Sequence, residues 1–489
     1  MNYIESKALR GAKLLHGTEQ RMRAKSGKWL VSAAMVALAV HAPALAQDAE
    51  LDDPLTQAET LPEAEAEREP APRNMEEAFP RMFSDPIVQG EYGGEVVPLK
   101  QEWTPAQASA LALVIRDIGR EGLDPADYRL IELMTEIGRG ASDRLSEIAS
   151  EAFVWLVEDL RDGRTPMEAR KQWFVIDPDR DVYRSGELMR TALESSDIAG
   201  AFEQIKPTHP DYTRLRDALA NTPEEDAQTR KLIRANMDRW RWLGHDLGNQ
   251  YLITNVPEYQ LRLTVRDKII SSYRTIVGKP GRTATPQLAE TVEGVVFNPT
   301  WTVPQSIVVG EGLGDKVLNN PAWARSQGYT RAQYDGWVSV VQQPGPTNSL
   351  GRMKLHMPNE HAIFLHDTPS RHLFANDMRA LSHGCIRTER ALELAITMAI
   401  LGRGVTKEEA VEIATSGKYT LVPIERRLPV YITYFTMATD INGELKTFED
   451  IYDRDGPVLA SLEMPRRADR ARHTDEEVIV IEDDLQDAP

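Results

Sequence analysis

The chain has 489 residues, 41% hydrophobic and 27% charged, which suits two or three soluble domains with at least one sizeable core. A formal net charge of -18 argues against a general nucleic-acid footprint and discourages loose adhesion to an anionic surface. One cysteine, Cys385, leaves no internal disulfide to staple the fold.

At the start of the chain Lys7, Arg10, Lys13, Arg21, Arg23, Lys25 and Lys28 face only Glu5 and Glu19. Residues 29–46 carry no Lys, Arg, Asp or Glu, and the apolar core at 29–40 gives way to Ala44-Leu45-Ala46. A basic start, a short apolar run and a small-residue exit predict a secretory signal over 1–46. An uncleaved inner-membrane anchor is the rival reading. Against it, the apolar run is shorter than the ~20 residues a spanning helix needs, and Pro43 interrupts its end.

Residues 47–84 are rich in Glu, Pro and Ala and predict a disordered acidic tether. Thr104-Pro105 then opens a helical pattern, with Leu111, Leu113, Val114 and Ile118 on one face. Further helices are expected around 144–160, 185–197, 211–220 and 226–243, making 85–247 a helical domain. Trp240 and Trp242, at its end, read as packing at a domain junction.

From Gln250 the period changes. Tyr259, Leu261, Leu263 and Val265 alternate with polar residues, a second run extends through Val277, and 295–297 and 362–365 add short strands. Val430, Ile432 and Tyr434 alternate again before the hairpin signal Asn442-Gly443. Residues 248–462 therefore form a β-rich domain, and the fold class is α+β. The stretch 304–351 reads as a long irregular lid or binding loop. Residues 463–489 read as a disordered tail, with an unassigned VIVI run at 478–481.

Five of the ten histidines fall between His356 and His383, just ahead of the cysteine. An exported protein that keeps one unpaired thiol holds either an inert buried residue or a reactive one, and the neighbours favour reactivity. In Ser382-His383-Gly384-Cys385-Ile386-Arg387 the cysteine follows a glycine and precedes a helical run expected from Glu389. That placement predicts a helix N-terminus lowering the thiol pKa, with backbone amides forming an oxyanion hole. His366, at the end of a short apolar strand, is the expected base. His356, His361 and His372 read as surface or structural, since their spacing fits no standard zinc pattern. Arg387 suits either a helix-start ion pair or a carboxylate clamp. The glycines of 310–314 lack a phosphate-binding frame. No metal and no cofactor are expected.

The segment from Ser382 to Arg387 closely resembles the L,D-transpeptidases of bacterial cell walls. The resemblance extends through His366-Asp367-Thr368-Pro369-Ser370-Arg371 to the stretch from Asn298 to Pro304 and to Pro344-Gly345-Pro346. Asn236 to Leu243 and Glu121-Gly122-Leu123-Asp124-Pro125 are similar to the helical scaffold of the family's large members. It implies a scaffold domain over 85–247, a catalytic domain over 248–462 and a capping subdomain at 305–350. It also implies a periplasmic enzyme in which Cys385 attacks the meso-diaminopimelate–D-Ala bond of a tetrapeptide stem. His366 would be the base, oriented by the Asp367 carbonyl. His383, Gly384 and Cys385 would line the oxyanion site, and Arg387, Ser382, Trp301 and Asn298 would hold substrate. Carbapenem acylation is a family property. The acceptor would be a second stem, another amine, water, or an outer-membrane or periplasmic protein. The peptidoglycan-binding module common in large members is missing here, where 211–235 is only a short helical stretch. Two rivals remain at this stage: a hydrolase that trims stems without joining them, and a wall-binding scaffold whose cysteine has lost its role.

Overall fold

The computed structural model describes residues 99–478, apart from 178, 267, 335–336, 468–470 and 472. The expected signal, the tether and most of the VIVI run lie outside the described residues.

The first helix, Pro105–Asp117, starts where the sequence predicts. Thr104 accepts the Gln107 N–H and Gln107 returns a bond to the Thr104 N–H, so two end amides that lack helical partners are satisfied. The central helix, Asp143–Asp162, is capped by Ser142 and buries Leu145, Ile148, Ala149, Ala152, Phe153, Leu156, Val157 and Leu160. Their three- and four-residue spacing is one helical stripe, around which the shorter helices Leu130–Arg139, Ser185–Ser195 and Ile198–Glu203 collect. Each buried Leu, Ile or Phe contributes roughly 1.5–3 kcal/mol. None of the described helices is long and apolar enough to cross a membrane.

The β-rich domain is a nine-stranded sheet in the order β10-β3-β11-β9-β8-β4-β12-β1-β2. Its longer strands are β1 (Gln250–Asn255), β2 (Gln260–Val265), β3 (Lys268–Gly278), β4 (Leu288–Phe297) and β12 (Thr420–Thr433). Because β2 also pairs with β3, the ladder closes on itself. Three short strands sit within or beside the closure: β8 (Met353–His356), β9 (Leu365–His366) and β11 (Ile386–Thr388). β10 (Ala380–Ser382) pairs with β3 from outside. The helix Ala391–Arg403 packs Leu394, Ala395 and Met398 into the same core as Leu355, Leu365 and Ile386. The hairpin expected at Asn442-Gly443 forms between β13 (Met437–Thr439) and β14 (Leu445–Thr447), with Gly443 at φ 83.

Three expectations are corrected. Residues 304–351 are not irregular: β6 (Tyr329–Tyr334) and β7 (Trp337–Gln342) join β5 (Trp301–Thr302) in a sheet. That sheet packs with the helices Gln305–Gly310, Leu313–Asn319 and Pro321–Ser326 around Val303, Val308, Val317 and Val340. The helix after the cysteine starts at Ala391 rather than Glu389. And the tail is not loose from 463. The Arg466 side chain, 2% exposed, bonds Asp159 at 3.0 Å and Glu158 at 2.6 Å on the central scaffold helix. Leaving Asp159 buried without that partner would be costly, which is why a charged segment stays in place.

The scaffold and the sheet share one interface. Trp240, at the end of the helix Ala227–Trp240, stacks between His209 (4.1 Å) and Phe435 (4.5 Å), as a junction residue should. On the same helix Asn236 accepts the Thr436 N–H at 2.9 Å, and Arg239 pairs with Asp455 at 2.6 Å.

Candidate active site

β9 and β11 run parallel, with Leu365 beside Ile386 and His366 beside Arg387. Leu365 and Ile386 are fully buried in the core, so alternation turns His366 and Arg387 to the opposite face. Lys354 of β8 lies directly across from His366 and shares that face. Cys385 immediately precedes β11, and the Ile386 N–H bonds the Phe364 carbonyl at 3.0 Å. Cysteine and histidine therefore sit two positions apart on paired strands. The half-buried thiol points to the Ala362 carbonyl at 3.6 Å, where Ala362 takes the unusual φ of 54°.

This placement corrects the basis for activating the thiol. Three strand residues, Glu389 and the left-handed Arg390 (φ 49) separate Cys385 from the helix that starts at Ala391. Helix-terminus effects fade within a turn, so that dipole does not reach the sulfur.

The imidazole of His366 is buried, and its pKa falls to about 3. Burial is the main cause, the Arg387 charge adds to it, the Asp367 backbone carbonyl opposes it, and Lys354 contributes least. Nδ1 is buried without a hydrogen-bond partner among the described residues. The Asp367 carboxylate itself accepts the Arg352 N–H at 2.9 Å and lies 3.5 Å from Arg371, so it anchors the entry to β8. Gly351 (φ 62) is needed there, because a Cβ would come within 2.4 Å of that carboxylate.

Ser382 clamps the turn: its hydroxyl accepts the Gly384 N–H at 3.1 Å and donates to the Cys385 carbonyl at 2.7 Å. The Gly384 amide is thereby engaged inside the turn instead of facing a substrate. His383 reaches outward to Glu311 of the capping subdomain at 3.4 Å, and burial lowers its pKa. Arg387 is half-buried and has no carboxylate partner among the described residues. This removes the ion-pair reading and leaves an uncompensated cation beside the thiol.

Trp301 packs into the apolar core of the capping subdomain, and Asn298 (φ 48) donates to the Ile413 and Lys418 carbonyls at 3.3 and 3.2 Å. Of the substrate-side residues the sequence suggested, Arg387 and Ser382 stand at the cysteine, whereas Asn298 is occupied in a loop contact. Sequence reading missed Lys354 and Glu311. The alternation of Met353-Lys354-Leu355-His356 was the available signal for Lys354, while nothing local marked Glu311. Two clefts of about 400 and 380 Å³ open beside His209 and Trp240 at the junction, and none of the residues around Cys385 lines them. Among the described residues no group of three or more His, Cys, Asp and Glu side chains could hold a metal ion.

A helical domain is joined to a closed sheet, with a histidine on β9 and a cysteine just before the adjoining β11. Residues 249–424 match the family model of the L,D-transpeptidase catalytic domain, and residues 100–219 match that of the Scaffold domain. A Haemophilus influenzae protein described as "Putative L,D-transpeptidase" is 32% identical over 287 residues. The alignment covers 55% of this chain but only 57% of that relative. Among solved structures, an L,D-transpeptidase from Mycobacterium smegmatis covers 39% of this chain and 60% of its own, at 11% identity and a TM-score of 0.21. Mycobacterium tuberculosis L,D-transpeptidase 1 gives 11% identity and a TM-score of 0.17, with 39% and 63% covered.

Proposed function

We propose that the protein is a periplasmic L,D-transpeptidase that remodels peptidoglycan through a thioester on Cys385. The observation that supports this most is the set of Cys385, neutral His366 and Arg387, which has no carboxylate partner among the described residues, on one face of β9 and β11 within a segment that matches the L,D-transpeptidase catalytic domain. His366 takes the thiol proton, and the sulfur electron pair adds to the carbonyl carbon of meso-diaminopimelate in a tetrapeptide stem. The carbonyl π pair moves to oxygen, where backbone amides of the His383–Gly384–Cys385 turn receive it. With the Gly384 amide held by Ser382, the Cys385 amide is the main donor. Collapse expels the D-Ala amine, which takes the proton from His366. An amine of a second stem then attacks the thioester, giving a 3–3 cross-link and restoring the thiol.

A resting pKa of about 3 makes His366 a weak base, and the second cause of that shift is Arg387. A stem carboxylate bound by Arg387 cancels part of this charge, so substrate raises the basicity of His366 as it arrives. Export by the N-terminal signal supplies the compartment. A D-amino acid or a periplasmic or outer-membrane protein amine fits the same thioester.

The test is product analysis on purified tetrapeptide muropeptides, with and without an acceptor amine. Release of D-Ala together with joined stems is expected, and Cys385→Ala abolishes both while the fold persists. Release without joined product would instead identify a stem-trimming hydrolase.

A further inference from the structure

The peptide linking Gly384 to Cys385 is braced from behind by a separate segment of the chain. Thr285, fully buried, donates its hydroxyl to the Gly384 carbonyl at 2.8 Å and accepts the Gly278 N–H at 2.9 Å. The Thr285 N–H meets the Tyr452 hydroxyl at 3.3 Å, and that hydroxyl donates to the Gly278 carbonyl at 2.6 Å. Arg454 reaches the Thr285 carbonyl at 3.3 Å, its guanidinium held 4.9 and 4.8 Å from the Tyr434 and Tyr452 rings. Behind it, Arg239 of the scaffold bonds the Arg454 carbonyl at 3.2 Å. A continuous chain of contacts thus runs from scaffold helix to nucleophile turn, with Thr285 as its last link.

A trans peptide holds its C=O and N–H antiparallel, so fixing the Gly384 oxygen also fixes the direction of the Cys385 N–H. The need for a brace is local. Gly384 sits at φ 115, and glycine torsions are the softest in the chain. A hydrogen bond to the carbonyl also polarises the peptide and strengthens its N–H as a donor.

We propose that Thr285 is a positioning residue for acyl transfer: its hydroxyl, held by the Gly278 N–H while Tyr452 holds its backbone, aims the Cys385 amide at the developing oxyanion. The proposal rests on the transpeptidase reading, and its test separates the two. On the full chain, two rates at Cys385 are followed by intact mass: alkylation by iodoacetamide, which forms no oxyanion, and acylation by meropenem, which does. For Thr285→Val the expected result is alkylation within twofold of wild type and acylation slower by roughly 10–100-fold. Thr285→Ser, which keeps the hydroxyl, restores acylation to within about threefold of wild type. Acylation of Thr285→Val at the wild-type rate, or equal loss of both rates, overturns the inference while leaving the transpeptidase reading intact. If Thr285→Val does not fold, Tyr452→Phe decides the matter: selective loss of acylation supports the brace, and unchanged rates overturn it. A wild-type chain that alkylates but never acylates removes the functional reading, and this inference with it.

Discussion

Burial at position 366 keeps an imidazole neutral at pH values where the same side chain in water is charged. The folded pKa, about 3, lies below the ordinary value of roughly 6.5, so between the two the unfolded chain binds a proton that the fold refuses. Stability from this group is complete above about pH 6.5 and is lost as pH falls toward 3. The expected loss between pH 7 and pH 5 is about 2 kcal/mol. Urea unfolding of wild type and His366→Gln at both pH values isolates it from the opposite drift of Glu258 and Glu290, whose carboxyls are pushed up to about 7 by burial. Parallel pH dependence in the two proteins would show that His366 is not held neutral. At this scale the proposed pair was legible in the sequence, because a cysteine between Gly384 and Ile386 stands out in a chain that has no other. The roles of Ser382 and Thr285 were not. Each acts through one hydroxyl on two backbone atoms, and such contacts leave no periodicity to read.

Elements with a strong local signal formed where expected. Thr104-Pro105 opens its helix because the cap and the first-turn proline are local chemistry, and Asn442-Gly443 closes its hairpin for the same reason. Elements with only a tertiary cause were missed. β11 has three residues, too few for alternation, and exists because β3 and β9 flank it. The capping subdomain likewise showed too little regular alternation for strands, yet it folds around its own small core. That core predicts local melting. Val340→Ala, at a fully buried position, should cost roughly 2 kcal/mol and speed hydrogen exchange across 305–342 while amides of β1, β4 and β12 stay protected. Equal deprotection of all these strands would mean the cap is not a separate cooperative unit. The Glu311–His383 contact adds little to this balance, since both side chains are partly exposed.

At the scale of the whole molecule, scaffold and catalytic domain are joined by buried charge as well as by aromatic stacking. Arg239 is 3% exposed and Asp455 15%, so Arg239→Ala strands a carboxylate and should cost roughly 3–5 kcal/mol. Urea unfolding followed in both domains should then show one shared transition moved to lower denaturant. A shift confined to the helical domain would contradict the coupling. The sequence announced two domains through the change of period near residue 250, and it placed Trp240 at their junction. It could not announce that Arg466 returns to Asp159, because a charged tail reads as solvated until its partner is known. The central claim is that Cys385 carries the acyl group, and acid-quenched peptide mapping during turnover of a tetrapeptide stem tests it most directly. The account predicts a tripeptidyl adduct on the peptide containing Cys385 and on no other. Wild-type D-Ala release by Cys385→Ala, or an adduct mapped elsewhere, would contradict it.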